Sequence, residues 1–227
     1  ISLNEQGLLA GLVAQVPGLG AKPIESVENA CASGGQAVLS VIQKLQCGLG
    51  ETGIAVGYEK MRDAEGRMDC KLVGKVLGYY SRPDERPSKV FVFPHLFAEV
   101  MDLYLKAHGM TEEHLAAIAV QEYQNARHNP YAQMRNVDLS VEKACQIEGI
   151  NRYIADGLRL KTFDCSQITD GYAGLVLATE EGLARLGVAK KDSVRIAGWG
   201  QATDPLKKEG RDVLRPKGAY AAMNGAY

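Results

Sequence analysis

The chain of 227 residues is long enough for one domain or slightly more, and 46% of its residues are hydrophobic. Its 26 basic and 27 acidic side chains leave a formal charge of −1, which excludes a general attraction to nucleic acid or anionic membranes. No run of about 18 apolar residues is present, which excludes a transmembrane helix. The five cysteines lack short paired spacings, which argues against a disulfide framework or a zinc knuckle. We therefore expect a soluble, cytoplasmic globular protein.

The first sixty residues alternate helical and strand-like patterns, as α/β proteins do. Apolar residues fall on one face over residues 2–16, which predicts a helix. Residues 23–28 are typical of a short strand, residues 32–46 repeat apolar side chains at helical spacing, and residues 54–57 indicate a buried strand. This order predicts a right-handed βαβ unit within residues 23–58.

The remaining residues begin with a stretch at 61–93 that has no clear period and predicts a long excursion from the sheet. Two amphipathic helices are predicted at 96–107 and 112–127, with Thr111 as the N-cap of the second. Residues 130–160 are poorly periodic. The last predicted elements are a strand at 174–178, a helix at 180–186, a strand at 193–198 and a helix that starts at residue 218.

One local sequence carries recognisable chemistry, the segment from Val27 to Ala37 that joins the first predicted strand to the next helix. It places Cys31 at a helix N-terminus, where unpaired N–H groups and the helix dipole favour negative charge. Such a position lowers the pKa of a thiol, and the small residues around Cys31 leave the sulfur open to a substrate. The amide of Cys31 is also a candidate donor to an oxyanion. From position and spacing alone, a buried packing cysteine is the alternative.

Five blocks of sequence, in chain order, resemble the thiolase superfamily, in particular the sterol-carrier-protein-type and archaeal thiolases. The first is the nucleophile segment around Cys31, which runs Val-Glu-Asn-Ala-Cys-Ala-Ser-Gly-Gly-Gln-Ala. The second is the strand after that helix (Ile54–Met61), and the third is the inserted loop domain, matched in two parts (Phe97–Glu99 and Val120–Ala132). The fourth is the return to the core sheet (Asp164–Gly171), and the fifth is the first strand of the C-terminal half (Trp199–Asp204). Together they extend the resemblance over essentially the whole chain.

The resemblance implies an α/β thiolase fold with layers in the order α-β-α-β-α. This chain would carry the N-terminal half, the inserted loop domain and only the beginning of the C-terminal half. The implied domains are an N-terminal core at 1–60 and 166–190, a loop domain at 61–165, and the start of the C-terminal domain at 191–227.

By the same resemblance, Cys31 is the nucleophile that takes the acyl group from an acyl-CoA as a thioester. The reaction then cleaves a 3-oxoacyl-CoA with coenzyme A or condenses two acyl-CoAs, so that coenzyme A is a substrate or product and no other cofactor and no metal is implied. The resemblance also implies a homodimer or tetramer paired through residues 23–28, and relatives suggest a small zinc-ribbon/OB-fold partner protein. His95 enters a helix where family members place loop residues near the substrate, and it is a candidate for contact with the ligand.

Three segments that complete a thiolase active site are absent from this sequence. They are Gly-His-Pro with the activating histidine, Cys-x-Gly with the second cysteine, and Asn-Glu-Ala-Phe or His-Asp-Cys-Phe with an oxyanion-hole residue. We therefore expect the chain to be incomplete at both ends, or to work with a separate chain, and to be inactive alone as a thiolase. The other residues of these types are expected to be structural: His108, His114 and His128 exposed and Cys165 buried, with no role assigned to Cys47, Cys70 or Cys145.

Two other functions stay open at this point. One is a condensing enzyme of the ketoacyl synthase or hydroxymethylglutaryl-CoA synthase type, which shares the fold and the nucleophile position. The other is a non-catalytic subunit that binds acyl-CoA or acts as a scaffold. Selective modification of Cys31 that acyl-CoA prevents would favour catalysis, and slow labelling of all five cysteines would favour the scaffold.

Overall fold

A computed structural model describes residues 6–86, 91–206 and 210–227. The described residues form two compact units. The first unit contains the described residues up to Val76 together with Thr169–Asp204 and Lys217–Tyr227, and the second contains those of Leu77–Ile168 and Pro205–Pro216. None of the helices in these ranges is long and apolar enough to cross a membrane. The domain bounds expected from the sequence remain a prediction.

The described residues contain helices and a single pair of strands. The helices are α1 (Leu9–Val13), α2 (Ser33–Gln46), α3 (Cys70–Gly78), α4 (Val92–His108), α5 (Glu112–Arg127), α6 (Val141–Cys145), α7 (Glu180–Leu186) and α8 (Lys217–Ala226), and the strands are β1 (Thr52–Glu59) and β2 (Gly171–Ala178). Single 3₁₀ turns lie at Ala30–Ala32, Pro83–Glu85, Thr162–Asp164 and Lys190–Asp192.

The sheet of the first unit consists of β1 and β2, which pair antiparallel from Thr52 opposite Ala178 to Glu59 opposite Gly171. The predicted strands at 54–57 and 174–178 are confirmed. Glycines allow helices to approach this sheet closely. A Cβ at Gly53 would lie 2.5 Å from Cγ1 of Val41 on α2, and a Cβ at Gly182 on α7 would lie 2.1 Å from the carbonyl oxygen of Glu51.

The predicted βαβ unit is wrong, because residues 23–28 form no strand and β1 pairs with β2 instead. A strand requires a hydrogen-bonded neighbour, and this segment has none in the described part of the chain. It is tied to α2 by side chains: Nζ of Lys44 lies 2.5 Å from Oε1 of Glu25, and this bond holds the pKa of the Glu25 carboxyl below its usual value.

The predicted strand at 193–198 is also wrong. The chain there lies against α8, where a Cβ at Gly198 would be 2.1 Å from the carbonyl oxygen of Ala226. A Cβ at Gly200 would be 1.8 Å from the carbonyl oxygen of Ala222. Contact with a helix gives these residues no neighbouring strand to pair with.

The observed bounds of helices α1 and α4 differ from those that the sequence periodicity predicts, and local residues explain the differences. In the predicted helix at 2–16, residues 1–5 lie outside the described residues and only Leu9–Val13 is helical. Leu8 is left-handed at φ 50°, and Gly11 within α1 weakens the helix. Helix α4 begins at Val92, earlier than expected, because Pro94 falls in its first turn, where no N–H bond is lost.

Two predicted helices match the structure, since α5 and α7 begin and end where the periodicity placed them. The excursion at 61–93 contains α3 and the 3₁₀ turn at Pro83–Glu85, while its residues 87–90 lie outside the described residues. The stretch is therefore more regular than its sequence pattern indicated.

The core of the second unit lies between α5, α6 and the residues that precede α6. Five side chains in this core are buried: Ala116, Ala119, Val120, Leu139 and Ala144. The side chain of Asn151, 1% exposed, donates to the carbonyl oxygens of Ala144 and Gln146 at 3.0 and 2.7 Å and accepts from the Phe163 amide at 3.1 Å. These bonds fix the loop after α6 to the core.

Candidate functional site

Cys31 lies in the 3₁₀ turn Ala30–Ala32, immediately before Ser33 opens α2. The expected position at the amino end of that helix is confirmed. Its side chain is exposed, so the alternative of a buried packing cysteine does not hold. Its role as a nucleophile remains a prediction.

The backbone that leads into Cys31 has an unusual conformation. Ala30 has φ 46°, in the left-handed region that side chains other than glycine rarely adopt. Two side chains hydrogen-bond around it. Oε1 of Glu28 accepts from the Ala30 amide at 2.5 Å, while Oγ of Ser33 accepts from the Asn29 amide at 2.8 Å and donates to the Ala30 carbonyl at 2.7 Å. The turn that carries Cys31 is therefore held at both ends.

The space beside the amino end of α2 is open. A Cβ at Gly34 or Gly35 would meet nothing within 4 Å. Ala32, the N-cap residue, provides no side-chain hydrogen bond to the first turn. The Ser33 amide donates to the Ala30 carbonyl. The amides at the start of a helix otherwise have no acceptor within the helix, so they are suited to bind a carbonyl oxygen or an oxyanion that approaches Cys31.

The first turn of α2 also contacts the segment that resembles the start of a C-terminal half. Nε2 of Gln201 donates to Oε1 of Gln36 at 2.5 Å. The same segment leads to Asp204, whose Oδ1 accepts from the Gly218 amide at the start of α8 at 3.0 Å. Sequence reasoning missed this pair of glutamines, although both lie inside the quoted blocks, because no local pattern joins residues so far apart.

His95 lies on α4 in the second unit, whereas Cys31 lies in the first. Nε2 of His95 is 3.1 Å from Oε1 of Glu99, one helical turn further along, and both side chains are partly buried. Its contact with a ligand remains a prediction. The other three histidines, His108, His114 and His128, are exposed, as expected, and His114 accepts from the Thr111 amide at the start of α5.

The remaining cysteines divide by burial. Cys47 and Cys70 are exposed, whereas Cys145 and Cys165 are partly buried. Burial is the main cause that raises the pKa of the Cys145 and Cys165 thiols, which keeps both protonated and less reactive at neutral pH. In the described ranges, no group of three or more His, Cys, Asp or Glu side chains is arranged to hold a metal ion.

Comparison with known proteins places these features in a family. Residues 7–181 match the family described as "Thiolase, N-terminal domain". An acetyl-CoA acetyltransferase of Methanothermobacter thermautotrophicus is 30% identical over 223 residues, which cover 98% of this chain and 54% of that protein. Sterol carrier protein 2 of Bos taurus is 27% identical over 211 residues, which cover 88% of this chain and 36% of the relative.

A solved structure supports the fold. The crystal structure of the dimeric peroxisomal thiolase of Saccharomyces cerevisiae matches 79% of this chain and 49% of its own, with a TM-score of 0.53 and 17% identity. At that identity the likeness concerns the fold alone. The expected resemblance and the thiolase fold class are confirmed. The chain spans about half the length of the acetyl-CoA acetyltransferases it matches.

Proposed function

The chain belongs to the thiolase family, and we propose that it carries the nucleophile of an acyltransferase that acts on acyl-CoA thioesters. The Cys31 thiolate attacks the acyl carbonyl carbon, the bond from that carbon to its leaving group breaks, and the acyl group stays on the sulfur as a thioester. In the condensing direction the leaving group is the coenzyme A thiolate. In the cleaving direction it is the α-carbon of a 3-oxoacyl-CoA, which must gain a proton as it leaves.

The observation that carries this proposal is the open position of Cys31. The Cys31 side chain is exposed and lies in the turn before α2, and the N-cap residue Ala32 provides no side-chain hydrogen bond to that helix. A tetrahedral intermediate needs donors for its oxyanion, and the amides at the start of α2 are of the right kind. The glycines at positions 34 and 35 leave room for the thioester beside them.

The proposal assigns only the nucleophile to these residues. The segments with the activating histidine, the second cysteine and the oxyanion-hole residue are absent from the sequence. We propose that polypeptide outside these 227 residues supplies them and that the isolated chain does not turn over acetoacetyl-CoA and coenzyme A. His95, held by Glu99, is proposed to contact the substrate and not to activate Cys31.

The proposal also covers the oligomeric state of the protein. One solved relative is described as dimeric, and in this chain residues 23–28 lack a pairing strand within the described sheet. We propose that two copies pair through this segment, and light scattering of the chain in solution is the check. A zinc-ribbon/OB-fold partner and a cytoplasmic location remain predictions.

A single-step acylation assay tests the nucleophile without requiring the absent groups. At a pH of about 9 an ordinary cysteine thiol, with a pKa of about 8.5, ionises without an activating histidine. The chain is incubated with acetyl-CoA, digested and analysed by mass spectrometry. We expect acetyl transfer to Cys31 at a rate well above that of Cys47 and Cys70, because the amino end of α2 has no side-chain cap. Cys47 lies at the carboxyl end of α2, and the first amides of α3, which Cys70 opens, are already bonded to Oδ1 of Asp69.

Two variants serve as matched controls for this assay. Cys31→Ser should abolish the fast acetylation, and Cys47→Ser, at another exposed cysteine, should leave it unchanged. Equal and slow acetylation of Cys31, Cys47 and Cys70 would contradict the proposal and favour a non-catalytic scaffold. Fast acetylation of Cys31 is common to thiolases and to the other condensing enzymes, so the assay separates catalysis from scaffolding only.

A further inference from the structure

The left-handed residue next to Cys31 is held by its surroundings. In the described residues only Leu8, Ala21 and Ala30 combine a side chain with a positive φ, and Ala30 directly precedes Cys31. An alanine does not keep this conformation by itself, because its Cβ crowds the backbone. Residues in such conformations persist where neighbouring bonds over-determine them.

Three side-chain hydrogen bonds hold three successive peptide groups here, in addition to backbone bonds from the Ala32 N–H to the Asn29 carbonyl and from the Ser33 N–H to the Ala30 carbonyl. Oγ of Ser33 accepts from the Asn29 amide, Oε1 of Glu28 accepts from the Ala30 amide, and the Ser33 hydroxyl donates to the Ala30 carbonyl. Their lengths are 2.8, 2.5 and 2.7 Å. A single hydroxyl, that of Ser33, takes part in two of them and so ties the start of α2 to both sides of Ala30.

The third bond has a direct consequence for Cys31. The Ala30 carbonyl and the Cys31 amide belong to the same peptide group, which is planar and trans, so their C=O and N–H vectors point in opposite directions. The Ser33 hydroxyl and the Ser33 N–H both donate to the Ala30 carbonyl. Together they fix the direction of that carbonyl and therefore the direction of the Cys31 N–H. The amide that is the candidate oxyanion donor is thus oriented by Ser33.

We infer that Ser33, assisted by Glu28, is a positioning residue that holds the Ala30–Cys31 peptide so that the Cys31 amide stays aimed at the oxyanion of the thioester under attack. The inference rests on the proposed role of Cys31 as the acyl-accepting nucleophile. It assigns to Ser33 no contact with the substrate. Its effect is on the stabilisation of the intermediate and not on the exposure of the thiol.

Two reactions of the same sulfur distinguish these effects. Iodoacetamide alkylation needs an accessible thiolate and forms no oxyanion, whereas acetylation by acetyl-CoA passes through a tetrahedral oxyanion. Ser33→Ala should lower the rate of Cys31 acetylation at alkaline pH about tenfold, a fraction of the loss expected when an oxyanion donor is removed outright. Its alkylation rate should change by less than about twofold, since the thiol stays equally accessible.

Matched variants guard against a merely structural effect. Ser33→Thr keeps the hydroxyl and should restore acetylation to within about twofold of the unmodified chain. Ser40→Ala removes a hydroxyl on the same helix that bonds to Glu25 and should leave both rates unchanged. Glu28→Gln keeps an acceptor oxygen for the Ala30 amide and should acetylate faster than Glu28→Ala.

The outcomes separate this inference from the proposed function. If Cys31 of the unmodified chain acetylates no faster than Cys47, the proposed function fails and the inference fails with it. If Cys31 acetylates selectively and Ser33→Ala acetylates at the unmodified rate, the inference alone is overturned. It is likewise overturned if Ser33→Ala slows both reactions equally, or if Ser33→Thr is as slow as Ser33→Ala.

Discussion

The two compact units differ in how far their apolar side chains are buried. In the first unit the sheet leaves Ile54 and Val176 56% and 67% exposed, and only Ala55 and Leu177 of its strands are buried. In the second unit the core around α5 is closed, with Ala116 and Ala144 completely buried. The second unit therefore holds together through its own core. The first, which carries Cys31, depends on close helix contacts around a two-stranded sheet that alone is marginal in water.

The two units also differ in their buried charged and amide side chains. Asp102, Asn151 and Lys161 are the buried charged or amide side chains of the described residues, and all belong to the second unit. Nζ of the completely buried Lys161 lies 3.0 Å from Oδ2 of Asp164. Buried polar groups of this kind stabilise only when they are paired. In the second unit, substitutions that remove the partner of a buried polar group should therefore strongly lower the free energy of unfolding. In the first unit, substitutions that add atoms at a close helix contact should lower it.

The largest expected effect is at Asn151 in the second unit. Asn151→Ala removes three hydrogen bonds from a buried position and leaves the carbonyls of Ala144 and Gln146 and the Phe163 amide without this partner. We expect a loss of about 3 kcal/mol in the free energy of unfolding, since each buried unpaired group costs about 1–3 kcal/mol. Urea denaturation measures it. Asn136→Ala, at an exposed asparagine, should change stability by less than about 0.5 kcal/mol.

A somewhat smaller effect is expected from a single methyl group in the first unit. Gly182→Ala places a Cβ 2.1 Å from the carbonyl oxygen of Glu51, so α7 must shift away from β1. Overpacking of this kind costs about 1–3 kcal/mol, which urea denaturation should show. Gly57→Ala adds the same methyl to β1 in open space and should be nearly neutral. Equal stability of the two variants would contradict the close contact between α7 and β1.

The smallest expected effect depends on pH and concerns Asp102. Hydrogen bonds from Lys106 and then Arg159 hold the pKa of the Asp102 carboxyl below its usual value. A lowered folded-state pKa means that the ionised carboxylate stabilises the fold above the unfolded pKa of about 3.9 and ceases to do so as the pH falls through the folded value. Asp102→Asn should therefore lower the urea midpoint at pH 7, and the difference should shrink below a pH of about 4.

An exposed aspartate serves as the control for this pH dependence. Asp156→Asn should follow the unmodified chain at every pH. A difference between Asp102→Asn and the unmodified chain that is constant from pH 7 to pH 3 would show that packing, and not charge, is the cause.

The elements that sequence reasoning predicted correctly are those that local residues specify. Helices α5 and α7 have clear periodicity and begin after Thr111 and Thr179, and the Thr179 hydroxyl accepts from the Gly182 amide at 3.1 Å. The turn before α2 was likewise recognised, because a cysteine among small residues ahead of an apolar helical pattern is a local signal. Cys31 lies where this signal placed it.

The features that sequence reasoning missed depend on contacts that no local pattern encodes. Whether residues 23–28 form a strand depends on a neighbouring chain segment and not on their own composition. The Gln36–Gln201 hydrogen bond joins residues 165 positions apart. The left-handed conformation of Ala30 is not predictable from the sequence either, because alanine disfavours it and it is held there by hydrogen bonds of the surrounding turn, including those from Glu28 and Ser33.

Asp170 connects the two points where the chain leaves the sheet and comes back to it. Its carboxylate accepts from the amides of Met61 and Arg62 at 2.6 and 3.3 Å, 109 and 108 positions earlier in the sequence. With the base of the insertion fastened in this way, the entropic cost of a longer or shorter insertion grows only with the logarithm of its length. A change in the length of the intervening hundred or so residues is therefore compatible with the same pair of strands.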